Sequence, residues 1–175
     1  MNHKEFEAFF RRDYPNLVRH VQMLGYDKDA ASDAAQQAMA LLLQEAGIVC
    51  SPRAWVRITA RRVAFHDRAR DRKREQLSVE VVRAALPSTS GPEESAEYKS
   101  EAQDVLETIR QLPPQQRQVL AWHYDGFSTQ EIAEMLDAKR STVDSNLRHA
   151  RKGVQAIYAQ PVLVGEGRNY ERPSA

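Results

Sequence analysis

A single cysteine, Cys50, stands in 175 residues. One thiol closes no intrachain disulfide and builds no cysteine-based zinc site, and it suits a reducing compartment. No apolar run approaches the roughly 18 residues of a membrane span, and MNHKEFEAFFRRDYP at the start is charged and amphipathic rather than an apolar signal core. A cytoplasmic protein with no membrane insertion is expected. Glycine is scarce, at 7 residues, and no phosphate-cradling glycine loop or G-x-S-x-G elbow occurs. The histidines (His3, His20, His66, His123, His149) are scattered, with no H-E-x-x-H pair. No catalytic cluster, metal site or cofactor is therefore expected. An excess of one charge sign is missing too: 25 basic against 24 acidic residues leave a net charge of +1. Any polyanion-binding surface must come from local segregation of charge.

Alternation of β-branched residues is rare, and helical periodicity dominates. The expectation is an all-α chain of two small helical domains joined by a flexible linker. Residues 1–75 form the first domain, 76–100 the linker, 101–160 the second domain and 161–175 a disordered tail. In the first domain Phe6, Phe9, Phe10, Leu17, Val21 and Leu24 recur at helical spacing from about residue 4 to 24, with Pro15 as a break or kink and Gly25 as a stop. Ala30, Ala34, Ala38, Leu41 and Leu42 stripe a second helix over 29–46. A loop over Gly47–Pro52 leads to a basic helix from Arg53 to about Arg74. LPSTSGPEESAEYKS, residues 86–100, is rich in Pro, Ser and Glu, as linkers are.

The second domain carries the sharper pattern. Pro113 and Pro114 suit the first turn of a helix that Gly126 ends. Ser128-Thr129-Gln130-Glu131 reads as a capping box ahead of Ile132, Ala133 and Leu136. A short turn around Asp137–Arg140 follows, and Ser141-Thr142-Val143-Asp144 reads as a second capped start. Two short capped helices joined this way make a helix-turn-helix. On the second of them Val143, Leu147, Ala150, Val154 and Ile157 should face inward, leaving Ser145, Arg148, His149 and Lys152 outward. Because recognition helices read bases with their N-terminal residues, Arg140, Ser141, Asp144, Ser145 and Arg148 are candidate base readers, with Thr142 and His149 as further candidate DNA contacts beside them. Arg151 and Lys152 are candidate phosphate contacts. Asp144 has two readings: a carboxylate complementing the helix dipole, or an acceptor for a cytosine amino group.

The basic helix of the first domain bears Arg53, Arg57, Arg61, Arg62, Arg68, Arg70, Arg72, Lys73 and Arg74 against only Asp67 and Asp71. Trp55, Phe65 and His66 are interleaved. Cations with aromatics suit a strand whose bases are unstacked, and the Gly47–Pro52 loop is placed to wall a base pocket. Core packing is the ordinary alternative for either ring. No large apolar face accompanies the charge, which argues against a membrane surface.

Together these segments resemble RNA polymerase sigma factors of the extracytoplasmic-function (ECF) type, over roughly residues 5–157. LPPQQRQVLAWHYDGFSTQEIAEMLDAKRSTVDSNLRHARK resembles region four, AWVRITARRVAFHDRARDRKR regions 2.3 and 2.4, and SDAAQQAMALLLQ region 2.2. The resemblance implies that Asp33, Gln36 and Gln37 face the β′ coiled coil of core RNA polymerase. It implies that Arg53, Trp55, Arg57, Arg61, Arg62, Phe65, His66 and Arg68 serve the minus-ten element, and that the second domain binds the minus-thirty-five element and the β flap. An anti-sigma factor is an expected partner. Arg62, His66, Gln37, Asp144 and Asn146 depart from common family residues, which bears on the promoter sequence recognised. The second domain taken alone is also similar to LuxR-like regulators, for which the basic run over 53–74 has no use.

Overall fold

The computed structural model describes residues 2–45, 49–82 and 101–159. All regular structure there is helical: α1 (His3–Met23), α2 (Lys28–Glu45), α3 (Pro52–Val82), α4 (Glu101–Arg110), α5 (Pro114–Tyr124), α6 (Thr129–Met135) and α7 (Arg140–Ala159). The 86–100 linker segment and the tail beyond residue 160 lie outside the described residues.

α1 opens with a capping box that the sequence reading did not identify. Asn2 accepts from the Glu5 amide at 2.9 Å, and the Glu5 carboxylate accepts from the Asn2 amide at 2.7 Å. The helix runs unbroken through Pro15. Phe9 and Leu17, one on either side of that proline, are buried in the same core, and their packing holds the helix across the lost amide. α2 is the tightly packed element: Ala31, Ala34, Ala35, Ala38, Met39 and Leu42 are all buried. Its alanines let α1 and α3 approach closely. The buried face is wider than the expected stripe and turned toward Ala31 and Ala35, leaving Ala30 and Leu41 half-buried. Val56, Ala60 and Ala64 of α3 complete this first core. α3 runs past residue 75, into the expected linker. EQLSVEVV contains neither glycine nor proline to stop it.

In the second half α5, α6 and α7 close around Val119, Trp122, Ile132, Ala133, Val143 and Leu147. Trp122 and Phe127 meet edge to face, centroids 5.1 Å apart. Pro114 starts α5, and Gly126 ends it at φ +86°. There the amides of Gly126 and Phe127 reach back to the carbonyls of His123 and Trp122, a Schellman closure. A third small core of Met23, Ile109 and Ala121 joins α1 to α4 and α5. The two helical units therefore pack against each other.

Candidate nucleic-acid interface

The α6–turn–α7 unit is built by local chemistry. Ser128 Oγ accepts from the Glu131 amide at 3.3 Å, and Glu131 Oε2 accepts from the Ser128 amide at 2.8 Å. These bonds to Ser128 hold the Glu131 carboxyl below its ordinary pKa. α6 ends in a second Schellman closure: Ala138 N–H bonds the Ala133 carbonyl at 2.9 Å, and Asp137 N–H bonds that of Glu134 at 3.4 Å. Asp137 supplies the left-handed residue, at φ +50°. The chain then reverses at once into α7.

α7 begins at Arg140, with the Lys139 carbonyl accepting from the Thr142 and Val143 amides. The expected capping box at Ser141 is not where the helix starts: Ser141 already lies in its first turn. Asp144 instead sits 3.8 Å from Arg140 Nε, both side chains more than half exposed. The inward stripe is as read from the sequence, with Val143, Leu147 and Ala150 buried and Val154 and Ile157 half-buried. Arg140, Ser141, Thr142, Asp144, Arg148, His149, Arg151 and Lys152 are exposed along one surface, and Ser145 is half-buried. Arg151 is tethered there, its guanidinium 2.8 Å from His123 Nε2.

The candidate residues of α3 divide into two groups. Arg62, Phe65, His66 and Arg68 are exposed, and Phe65 shows 64% of its surface. Phe65 and His66 meet edge to face, and both line a cleft of about 380 Å³ with Arg61, Arg62, Tyr26 and Gln118. The core-packing alternative for Phe65 is thus ruled out. Trp55 is half-buried against the first core. Arg68 lies over the Tyr26 ring, 5.6 Å from its centroid. Nearer the start of α3, Arg57 points into the protein, while Arg53 beside it reaches the same carboxylate-bearing turn and stays about half exposed. Arg57 is wholly buried, with Nε 2.6 Å from Asp125 Oδ2 and Nη1 3.6 Å from Asp13 Oδ1. Arg53 donates to the Asp125 carbonyl and stacks over Phe127 at 5.0 Å. On α2, Asp33, Gln36 and Gln37 are all exposed, with Gln36 3.4 Å from the Tyr14 hydroxyl.

Sequence reading missed the buried charge cluster altogether. Asp125 Oδ2 takes a second short contact from His20 Nδ1, also at 2.6 Å, and His20 is fully buried edge-on to Trp122. Burial drives the His20 pKa below its ordinary 6.5, against the pull of Asp125. Burial pushes the Asp125 carboxyl up, yet the hydrogen bonds from His20 and Arg57 together outweigh it and hold it low. A signal was available in the spacing: Asp13, Leu17, His20 and Leu24 share one face of α1. Two ionisable residues on a buried stripe call for a buried partner.

Two packed helical units, the second a helix-turn-helix with a cationic outer face, are an arrangement suited to the major groove of DNA. Residues 102–153 match the family described as Sigma-70, region 4. The chain is also similar in fold to the sigma factor RpoE of Bartonella quintana, solved in complex with the anti-sigma factor NepR. The TM-score is 0.66 at 20% identity, covering 90% of this chain and 99% of that one. No curated protein matches the sequence. The second unit is thus similar to the Sigma-70 region 4 family over residues 102–153, and the whole chain shares the fold of the RpoE structure.

Proposed function

We propose that this protein is an ECF-type sigma factor: it binds core RNA polymerase, recognises the minus-ten and minus-thirty-five promoter elements and directs transcription initiation. The observation that carries the reading is the pairing, in one chain, of a region 4 helix-turn-helix with a second basic helix whose exposed face mixes Arg62, Phe65, His66 and Arg68. Arg140, Ser141, Thr142, Asp144, Ser145 and Arg148 then meet bases of the minus-thirty-five element, His149 lies beside them, and Arg151 and Lys152 hold phosphates. Arg61, Arg62, Phe65, His66 and Arg68, with Arg53, Trp55 and Arg57, serve the minus-ten element. Asp33, Gln36 and Gln37 face the β′ coiled coil, and the second domain also meets the β flap.

The chemistry belongs to the polymerase, and this subunit supplies position and strand opening. Opening a duplex costs about 1–2 kcal/mol per base-pair step. Capture of an extruded base beside Phe65, together with phosphate contacts, offsets that cost. The protein acts in the cytoplasm, and an anti-sigma factor masks it, as NepR accompanies the Bartonella quintana protein. The test is transcription in vitro. The purified chain added to core polymerase should start RNA at a cognate promoter, and absence of both core binding and redirected initiation would reject the reading.

A further inference from the structure

Arginines from three helices converge on Tyr26, in the turn between α1 and α2. Arg68 of α3 lies over its ring, 5.6 Å from the centroid, and Arg110 of α4 donates to its carbonyl at 3.1 Å. Arg117 of α5 donates to the Arg110 carbonyl at 2.7 Å and lies against Gly25, where a β-carbon would stand 3.2 Å from the guanidinium carbon. Burial raises the pKa of the Tyr26 hydroxyl, while Arg68, Arg61, Arg72 and Arg117 each pull it back, so four guanidiniums act on that oxygen. It stays protonated at neutral pH, a hydrogen-bond donor in a field of cations.

The cleft of about 380 Å³ beside Tyr26 has two kinds of lining. Arg61, Arg62 and His66 are polar; Leu24 and Phe65, the latter with 64% of its surface exposed, are apolar. No carboxylate borders it. Asp27, Asp33, Asp67 and Asp71 line a separate hollow that shares only Tyr26 with it. Asp67 is taken by Arg70 at 2.9 Å, and among the described residues neither Arg61 nor Arg62 is ion-paired. Unpaired guanidiniums beside an uncovered aromatic ring suit a ligand that is anionic at one end and flat at the other.

Size narrows the choice. The volume lies in the lower part of the roughly 300–1,000 Å³ range of small-molecule sites. It admits one base with its phosphates and is far too small for a duplex. α5 supplies a second wall through Pro114 and Gln118, and the Gln118 amide carries both donors and an acceptor for the edge of a base. A purine covers more of Phe65 than a pyrimidine does.

We infer that this cleft binds a purine nucleoside triphosphate, with the base stacked on Phe65, its edge at Gln118, and the phosphates held by Arg61, Arg62 and the Tyr26 hydroxyl. Arg61, Arg62, Phe65 and His66 also belong to the proposed minus-ten surface, so the nucleotide competes with forked minus-ten DNA for them. That consequence, unlike the binding itself, rests on the sigma-factor reading.

The test is calorimetric titration of the full chain, without polymerase or DNA. The probes are ATP and GTP, with inorganic tripolyphosphate and adenosine as the two halves of the ligand. One-to-one binding of ATP or GTP is expected, about tenfold or more tighter than either half. Phe65→Ala should weaken it about tenfold or more, the loss of one base–aromatic stack. Gln118→Glu sets a carboxylate inside the cleft to compete for Arg61 and Arg62, and should weaken it about fivefold or more. Arg62→Ala, at an exposed position, serves if either variant fails to fold by circular dichroism, with a similar loss expected. No saturable binding of ATP or GTP at millimolar concentration overturns the inference, as does either half binding as tightly as the nucleotides. Unchanged affinity in folded Gln118→Glu also overturns it, because the nucleotide then lies on the open face of α3 and not in the cleft. Failure of the parent chain to initiate with core polymerase rejects the sigma-factor reading instead, while the titration still decides the site.

Discussion

Asp137 sits in the left-handed region at φ +50°, where a β-carbon is strained and glycine is not. Asp137→Gly should therefore stabilise the second domain by about 0.5 kcal/mol, the relief of strain exceeding the added freedom of the unfolded chain; urea denaturation would measure it. Ser128→Ala removes the cap of α6 and should cost about 1 kcal/mol in the same assay. His20 predicts a pH dependence. Folded, its imidazole is held neutral by burial, whereas the unfolded chain takes up a proton near the ordinary 6.5. Below that pH the unfolded state binds more protons, so stability falls as pH falls. Asp125, held below its ordinary 3.8, adds a further loss in stronger acid. The melting temperature should drop from pH 7.5 to pH 5.5 in the wild type and drop less in His20→Gln. Equal slopes would show that His20 is not the group responsible. The Ser128–Glu131 box was readable because both partners lie within one turn. Asp137 gave no such signal, since its strain is set by where α6 must stop.

The outward face of α7 was readable for a similar reason. Val143, Leu147, Ala150 and Val154 fix its rotation, and the exposed cations follow from helical geometry. Its start was not readable, because the Schellman closure at Asp137 delivers the chain to Arg140 ahead of the serine that looked like a cap. Pro15 misled in the opposite sense, since burial of α1 on both sides of it outweighs one lost hydrogen bond. On α7, Arg148→Ala should cost about 1–3 kcal/mol on the cognate minus-thirty-five sequence and little on a scrambled one. Lys152→Ala should weaken every sequence alike and lower the salt slope of binding by about 0.9. Anisotropy titrations of duplexes at several salt concentrations separate the two, and a uniform loss for Arg148→Ala would make it a phosphate contact.

Two helical domains, their order and their basic helices could be read from periodicity and charge, because each depends on neighbours a few residues apart. The packing of one domain on the other could not. It depends on Asp125 meeting His20 and Arg57 across 105 and 68 residues of chain, and no local pattern encodes such a pairing. It also changes how the charge is read. Arg53 and Arg57 belong to the same basic run as Arg62 and Arg68, yet the fold ties both of the first pair to Asp125 and buries Arg57, while Arg62 and Arg68 stay exposed. The proposed function requires the two domains to reach two promoter elements at once, with the polymerase between them. Footprinting of a cognate promoter with core polymerase and this protein tests that requirement most directly. Protection at both elements, with reactive unpaired bases in the minus-ten element, is the predicted result. Protection at a single element, or an intact duplex at minus ten, would contradict it.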